Sequence, residues 1–497
     1  MKVSFALAVG SLAAGLVEGA NAGNGVVQWD IQKKPPPPEA KRLGKRASTY
    51  EEAVSNEEMR GGYFASCTLG TPPQDLTLQL DTGSSDIWVP ESTAQVCRKS
   101  GGCTFGITPS DSDTFRITGP DLFDISYLDG SSAKGDYFTD VFDIGGATVQ
   151  NMTMGLGNQT DIGYGLVGVG YALNEAIVGD TGSASSAYPN LPVTMVNEGL
   201  INTVAYSIWL NDLDASSGSI LFGGIDTKKY HGDLARIDVY PTQRFYTSFK
   251  VALTSLEASS PSGSDALTST SFPIPTVLDT GTTLSYLPTD IAMQVWKEVG
   301  AIYSRDFQMA ILPCSLAASK GILTFGFAGP SGPKINVSMD ELVLDLTTDG
   351  PPVFTSGKYK NQDACKFGIQ NFTQAPYLLG DTFLRSAYVV YDLINNQIGI
   401  APTDFNSTES NIVPFPSASA EIPSATPVPN QAQATIPPAV TSPAYSASPG
   451  FTDSAAGSRN KNAASGMPEA FGVPQLCILG LSTMMIMVGS GVFLVLF

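Results

Sequence analysis

Histidine is almost absent from this chain, with His231 the single one in 497 residues. A Ser-His-Asp or Cys-His centre needs a histidine beside its nucleophile, and zinc sites usually take one or more. His231 itself lies in the polar run Lys228-Lys229-Tyr230-His231-Gly232-Asp233, which reads as a surface turn. Hydrolysis by this chain would therefore have to run on carboxylates. Basic residues are also scarce, 27 against 46 acidic ones, and the formal charge of −19 repels nucleic acid and anionic membrane surfaces. An acidic working environment suits such a chain, because carboxylates that take up protons relieve the self-repulsion. Long helical patterns are few as well.

What is present is a hydrophobic content of 42%, enough for large buried cores without a partner, so a monomer is expected. Of the 6 cysteines, Cys97 and Cys103 are near enough to close a short loop, and Cys314 and Cys365 a longer one. Cys67, in an alternating run, and Cys477, in an apolar tail, are read as unpaired. Such pairing suits an oxidising compartment.

The two ends point the same way. Lys2, the apolar run from Val3 to Val17 and the small-x-small sequence Ala20-Asn21-Ala22 read as a signal peptide spanning 1–22. Residues 23–46 follow as an expected propeptide, with Pro35 to Pro38 and the dibasic pairs Lys41-Arg42 and Lys45-Arg46, the latter a site for a kexin-like processing protease that leaves Ala47 as the new start. At the far end, residues 406–462 are rich in Ser, Thr, Pro and Ala, a composition that reads as an extended stalk. The apolar run from Leu476 to Phe497 has no basic residue after it. With small residues Asn462-Ala463-Ala464 and a spacer from Ser465 to Gln475, it matches a GPI attachment signal, whose spacer is about 8–12 residues. Asn462 is the expected attachment site, with 463–497 removed. Sequons at Asn151, Asn158, Asn336, Asn371 and Asn406 fit passage through the secretory route.

Between the ends, short apolar runs alternate with Gly, Pro, Asn and Asp, the signature of a mostly β region. Helices are expected only around Thr289 to Val299 and Leu191 to Glu198. The region also duplicates itself. Leu78-Gln79-Leu80-Asp81-Thr82-Gly83-Ser84-Ser85 is echoed by Thr276-Val277-Leu278-Asp279-Thr280-Gly281-Thr282-Thr283, and Leu166-Val167-Gly168 by Leu378-Leu379-Gly380. Two lobes, each with an Asp-Thr-Gly turn and a later apolar-apolar-Gly strand, account for this pattern.

An Asp at the tip of an apolar strand is costly to bury unless hydrogen bonds hold it. Gly83 and Gly281 permit the tight backbone path, Thr82 and Thr280 offer hydroxyls to the opposite lobe, and Ser84 and Thr282 are placed to donate to the carboxylates. If the lobes pack about a pseudo-twofold axis, Asp81 and Asp279 meet across a cleft. Two carboxylates in contact cannot easily both ionise, so they share a proton and titrate as a unit. Such a pair can activate a water with neither metal nor cofactor.

On these residues the chain resembles the pepsin family of aspartic proteases from about Gly62 to Pro402. The motifs are Tyr63-Phe64-Ala65, Leu69-Gly70-Thr71-Pro72-Pro73-Gln74, DTGSSDIWVP from Asp81, ISYLDGS from Ile125, DTGTTLSYLP from Asp279 and LLGDTFLR from Leu378. The resemblance implies a bilobal, all-β peptidase domain over 47–405, with lobes of about 47–235 and 236–405, and Asp81 and Asp279 catalytic. It implies that Tyr127 sits on a flap that closes over the cleft, that Trp88 hydrogen-bonds it, and that Cys97-Cys103 and Cys314-Cys365 are disulfides. With the GPI-type tail, the subgroup it is most similar to is the fungal yapsin-like cell-surface proteases, acting on proteins or peptides at the surface or wall. Two features depart from the pattern: the Cys97-Cys103 loop lacks a long insertion, and residues 23–46 are short for an inhibitory prosegment. Asp129, two residues past Tyr127, is expected either to favour Lys or Arg before the scissile bond or simply to form the Asp129-Gly130 turn. Rival readings are a catalytically dead cleft that binds peptide, against which the intact Asp pair counts, and a wall mannoprotein, which leaves the paired turns unexplained.

Overall fold

The computed structural model describes residues 25–34, 62–98, 103, 106–215, 217–347, 350–431 and 443–452. The expected signal peptide, the dibasic pairs, Cys477, Asn462 and the C-terminal apolar run lie outside them.

Strands dominate, as the alternating runs predict. In the N-terminal half they are β1 (Val27–Lys34), β2 (Gly62–Leu69), β3 (Gln74–Asp81), β4 (Ile87–Pro90), β5 (Arg116–Ser126), β6 (Ser132–Ile144), β7 (Ala147–Thr160), β8 (Gly165–Gly168), β9 (Ala205–Trp209) and β10 (Ser217–Phe222). β2 and β3 form a hairpin in which Phe64 faces Gln79 and Leu69 faces Gln74, with Gly70 at φ 90° supplying the left-handed turn residue. β3 is buried from Leu76 to Asp81, with Leu76, Leu78 and Leu80 at alternate positions in the core and Thr77 and Gln79 between them.

The sequence duplication is a duplication of topology. β3 pairs in parallel with β8, β8 antiparallel with β4, and β4 in parallel with β7. In the second half Ile274–Leu278 pairs in parallel with Tyr377–Leu379, which pairs antiparallel with Ser285–Pro288, which pairs in parallel with Ile369–Phe372. In each lobe the Asp-Thr-Gly turn thus leaves the end of an inner strand, held between neighbours on both sides.

Among the described residues a 14-stranded sheet joins the halves. Its middle brings β9 and β10 beside Ala387–Asp392 and Gln397–Pro402, so the floor beneath both turns is one continuous sheet. One hydrophobic cluster runs through both halves, including Leu78 and Leu80 from the first and Leu278 and Tyr391 from the second. The helix Thr289–Val299 buries Ile291, Val295 and Val299 and ends at Gly300, whose φ of 82° is the left-handed stop. The other expected helix runs Leu191–Asn197, and short helices that the sequence did not announce lie at Ala176–Thr181 and Asp381–Leu384.

Two segments outside the expected peptidase domain pack into the fold over their described parts. β1, inside the segment expected as a propeptide, is an inner strand between β10 and β2. The expected stalk is also not extended over its described part. Ile412–Pro414 pairs with Gly224–Asp226, Ala425–Pro427 pairs in parallel with Leu234–Arg236, and Ser448–Thr452 is a short helix. Phe415, Ile422, Ala447 and Phe451 are buried, and the Phe451 ring fills the space a side chain on Gly321 would need. Average composition hides such anchors, because a few well-spaced apolar residues suffice to tie down a Pro/Ser-rich segment.

Candidate active site

The two Asp-Thr-Gly turns meet at the centre of the molecule, with Asp81 and Asp279 both fully buried. Each carboxylate is held from its own turn. The Gly83 N–H donates to Asp81 Oδ1 at 2.7 Å and the Ser84 hydroxyl to Oδ2 at 2.5 Å. The Gly281 N–H donates to Asp279 Oδ1 at 2.9 Å and the Thr282 hydroxyl to Oδ2 at 2.6 Å. The threonines lock the turns together: Thr82 Oγ1 donates to Leu278 O at 2.9 Å and accepts from Thr280 N at 3.0 Å. Thr280 Oγ1 returns the same pair of bonds, to Leu80 O at 3.1 Å and from Thr82 N at 3.2 Å. Four bonds related by a local twofold thus bind one lobe's turn to the other's in a buried setting, where the alternative is an unpaired polar group.

Glycine is required at both turns by contact with the opposite lobe. A Cβ on Gly83 would lie 2.6 Å from Asp279 Oδ1, and one on Gly281 would overlap Asp81 Oδ1. The same crossing shows how close the two carboxyl groups lie. Burial raises the pKa of both, and the hydrogen bonds from Ser84 and Gly83 oppose that rise at Asp81. Asp279 is pushed well above the usual carboxylate range, by burial and then by the charge of Asp81. With both raised by burial and lying against each other, the two carboxyls share one proton and titrate as a unit.

A hairpin covers the pair. β5 and β6 are joined by Tyr127 to Ser131, with Tyr127 N bonded to Ser131 O at 2.9 Å and Gly130 at φ 87°. Trp88 Nε1 donates to Tyr127 Oη at 2.7 Å, and both rings are buried in an aromatic cluster with Phe64, Phe123, Tyr137 and Tyr164. Leu128 at the hairpin tip packs against the second lobe's cluster of Val277, Leu284, Tyr286 and Leu378, so the hairpin bridges the cleft. Asp129 Oδ1 accepts from Ser131 N at 2.9 Å and Ser131 Oγ at 2.6 Å, which is the turn-forming role.

Several supporting residues carry no sequence signal of their own. Asp86, five residues past Asp81, is fully buried and accepts from Tyr137 Oη at 3.0 Å, Tyr188 Oη at 2.8 Å and Ala176 N at 2.8 Å. Burial pushes its pKa up to about 6. Neighbouring Glu175 is pushed up to about 10, by burial first and then by Asp86. Asn174 Nδ2 donates to Gly83 O at 3.1 Å and braces the first turn. An acid directly before the apolar stretch Ile87-Trp88-Val89 is the one hint Asp86 gave; its tyrosine partners are distant in sequence.

The remaining residues singled out by sequence lie away from the cleft. Cys97–Cys103 and Cys314–Cys365 are disulfides, and Cys67 is a buried free thiol. His231 is on the surface, with Nε2 3.1 Å from Asp404 Oδ1. Asn151, Asn336 and Asn406 are exposed, whereas Asn158 and Asn371 are half-buried.

Comparison with known proteins agrees with this geometry. The family model described as Eukaryotic aspartyl protease matches residues 62–403. The chain is 44% identical over 395 residues to a probable aspartic-type endopeptidase OPSB of Arthroderma benhamiae, covering 78% of each chain. It is 36% identical to an acid protease of Saccharomycopsis fibuligera over 74% of this chain and 87% of the relative. Secreted aspartic protease 8 of Candida albicans is 34% identical, over 73% of this chain and 81% of its own. With two lobes of like topology presenting paired Asp-Thr-Gly turns and these relatives, the chain belongs to the eukaryotic aspartyl protease family, adopts its bilobal pepsin-like fold and is an aspartic endopeptidase.

Proposed function

We propose that Asp81 and Asp279 are the catalytic pair, that the protein is secreted, processed and GPI-anchored, and that it cuts proteins or peptides at the cell surface or wall. The observation that carries the catalytic reading is the crossed, buried arrangement of the two carboxyls, each held by its own turn. Ionised Asp81 takes a proton from a water held between the pair, and that water's oxygen attacks the peptide carbonyl carbon. Protonated Asp279 gives its proton to the carbonyl oxygen, which produces a neutral tetrahedral diol. Asp81 then passes its proton to the amide nitrogen while Asp279 recovers one from the diol, and the C–N bond breaks. Both carboxyls return to their starting states. Asp81→Asn is expected to abolish pepstatin-sensitive peptide cleavage while leaving the fold intact; a variant that keeps its activity would overturn the assignment.

The anchored, surface-acting reading is supported by the apolar C-terminal run, the small residues at Asn462 and the exposed sequons at Asn151, Asn336 and Asn406. Release of the protein from intact cells by a phosphatidylinositol-specific phospholipase tests the lipid anchor, and retention after that treatment counts against a membrane-held form. A preference for basic residues before the scissile bond rests on Asp129, a carboxylate at the hairpin above the cleft. Asp129→Asn keeps the acceptor for Ser131 and removes the charge. Its expected effect is a selective loss, about tenfold, for Lys and Arg substrates relative to apolar ones; an equal effect on both classes would reduce Asp129 to its turn.

A further inference from the structure

Residues 443–452 dock on the second lobe, against the hairpin at Ser260 to Gly263 and the helix Thr289–Val299. The Ala447 N–H and the Ser446 hydroxyl each donate to Asp265 Oδ2 at 2.8 Å. The Ser260 and Ser262 hydroxyls donate to Ala447 O at 2.6 Å and Ser446 O at 2.7 Å. Tyr445, at φ 58°, takes the left-handed conformation that few non-glycine residues adopt, and so turns the chain around the Asp265 carboxylate. The Lys297 ammonium sits 3.6 Å from the centre of its ring. Against Asp265 lies a second acid. Glu298, in the last turn of the helix, is fully buried, and among the described residues neither of its carboxyl oxygens receives an N–H or O–H. Its hydrogen-bonding neighbour is the Asp265 carboxyl itself. Two carboxyls meet in this way only with a proton between them. The arm's donors satisfy Asp265 as an anion, so Glu298 carries that proton and donates it to Asp265.

We propose that residues 443–452 are a proton-governed clasp, closed while Glu298 keeps its proton beside Asp265 and opened once both acids are charged. Burial disfavours charge on Asp265, but the donors from Ala447, Ser446 and Ala444 outweigh it and hold its pKa below the usual carboxylate range. Glu298 is pushed up to about 7, by burial and then by Asp265, with Lys297 opposing. Tyr445 also faces the pair, and burial followed by these two acids keeps it neutral above its ordinary value. Lys358 stands at the end of the helix, 3.6 Å from where a Gly300 Cβ would be. Glu257, on the strand paired with that of Asp265, is opposite Ala266 and faces the other side of the sheet. Ser285–Pro288 and Ile369–Phe372, which also pack on the helix, carry no carboxyl or amine. Freed of the arm, Glu298 returns toward its ordinary 4.5, so closing takes up a proton. The clasp is therefore complete below about 4.5 and is lost progressively as pH climbs through about 7. On the reading that Asn462 carries the anchor, the closed clasp leaves Thr452 at most about 35 Å of chain from the lipid. With it open the nearest docked residue is Gln431, whose side chain accepts from Asp238 N, and the limit becomes about 110 Å. Acid thus keeps the enzyme close to its surface.

The test is amide hydrogen exchange of the full chain carrying Asp81→Asn, to prevent self-digestion, at pH 5, 6.5 and 8, with each rate divided by its intrinsic value. From pH 5 to pH 8 the protection of residues 444–452 should fall at least about tenfold more than that of the helix Thr289–Val299. Glu298→Gln keeps a donor for Asp265 and cannot ionise, so its arm should be protected equally at the two extremes. Equal protection of the wild-type arm at pH 5 and pH 8, or a pH dependence that survives in Glu298→Gln, would overturn the inference. Neither measurement depends on the lipid, which the phospholipase treatment tests by itself.

Discussion

At Gly281 a single methyl group would decide activity. Its Cβ would overlap Asp81 Oδ1 and sit 3.2 Å from Asp279 Oδ1, so Gly281→Ala must displace a carboxyl group from the pair. A loss of kcat of at least about 10³-fold is expected, comparable to removing one member of a proton-transferring pair. Trp88→Phe is a gentler case. It removes the 2.7 Å bond to Tyr127, a change of about 1 kcal/mol in hairpin positioning, and leaves a small cavity where the fully buried indole stood. Roughly a fivefold fall in kcat/KM together with a modestly lower melting temperature is the expected outcome; steady-state kinetics beside a thermal melt would check both.

The Asp-Thr-Gly turns are each the end of one strand, and the β5–β6 hairpin is the element that closes over them. Leu128 at its tip rests on the opposite lobe, so substrate entry requires that contact to break and closure to remake it. Leu128→Ser should therefore weaken closure, with a higher KM for long peptides and a smaller change for short ones; equal effects would mean the tip does not gate the cleft. At the C-terminal end, Phe451 is fully buried in a short helix that shares no sheet. Phe451→Ala is expected to cost about 3 kcal/mol or more of stability and to leave the pair's chemistry unchanged, as urea unfolding and a peptide assay would show.

Across the whole molecule, buried acids make stability depend on pH. Asp86 is raised from 3.8 to about 6, so the folded state binds its proton more tightly than the unfolded chain. Its contribution is complete below the unfolded value and is lost as pH climbs through about 6. Glu175, raised from 4.5 to about 10, extends the same fall beyond neutrality. The loss from Asp86 alone is of order 3 kcal/mol. A thermal melt should show stability falling between pH 4 and pH 7. Glu175→Gln should flatten the upper part of that slope, and a melting temperature that rises with pH would contradict the assignment.

The sequence by itself determined the chemistry: an Asp on an apolar strand, followed by Gly and a hydroxyl and repeated in matching frame, has few other uses. It also determined the strand content, since alternation of period two is a local property, and it made the hydrogen bond between Trp88 and Tyr127 legible through resemblance. What it did not show were partnerships formed across long separations. Asp86 meets Tyr137 and Tyr188, Leu128 meets the second lobe, and the segments expected as propeptide and stalk supply a central strand and several buried anchors. Burial and pairing of this kind depend on which surfaces the finished fold leaves open. A local composition rich in Pro and Ser says how little a segment can fold alone, whereas only the tertiary structure decides whether another surface will hold it.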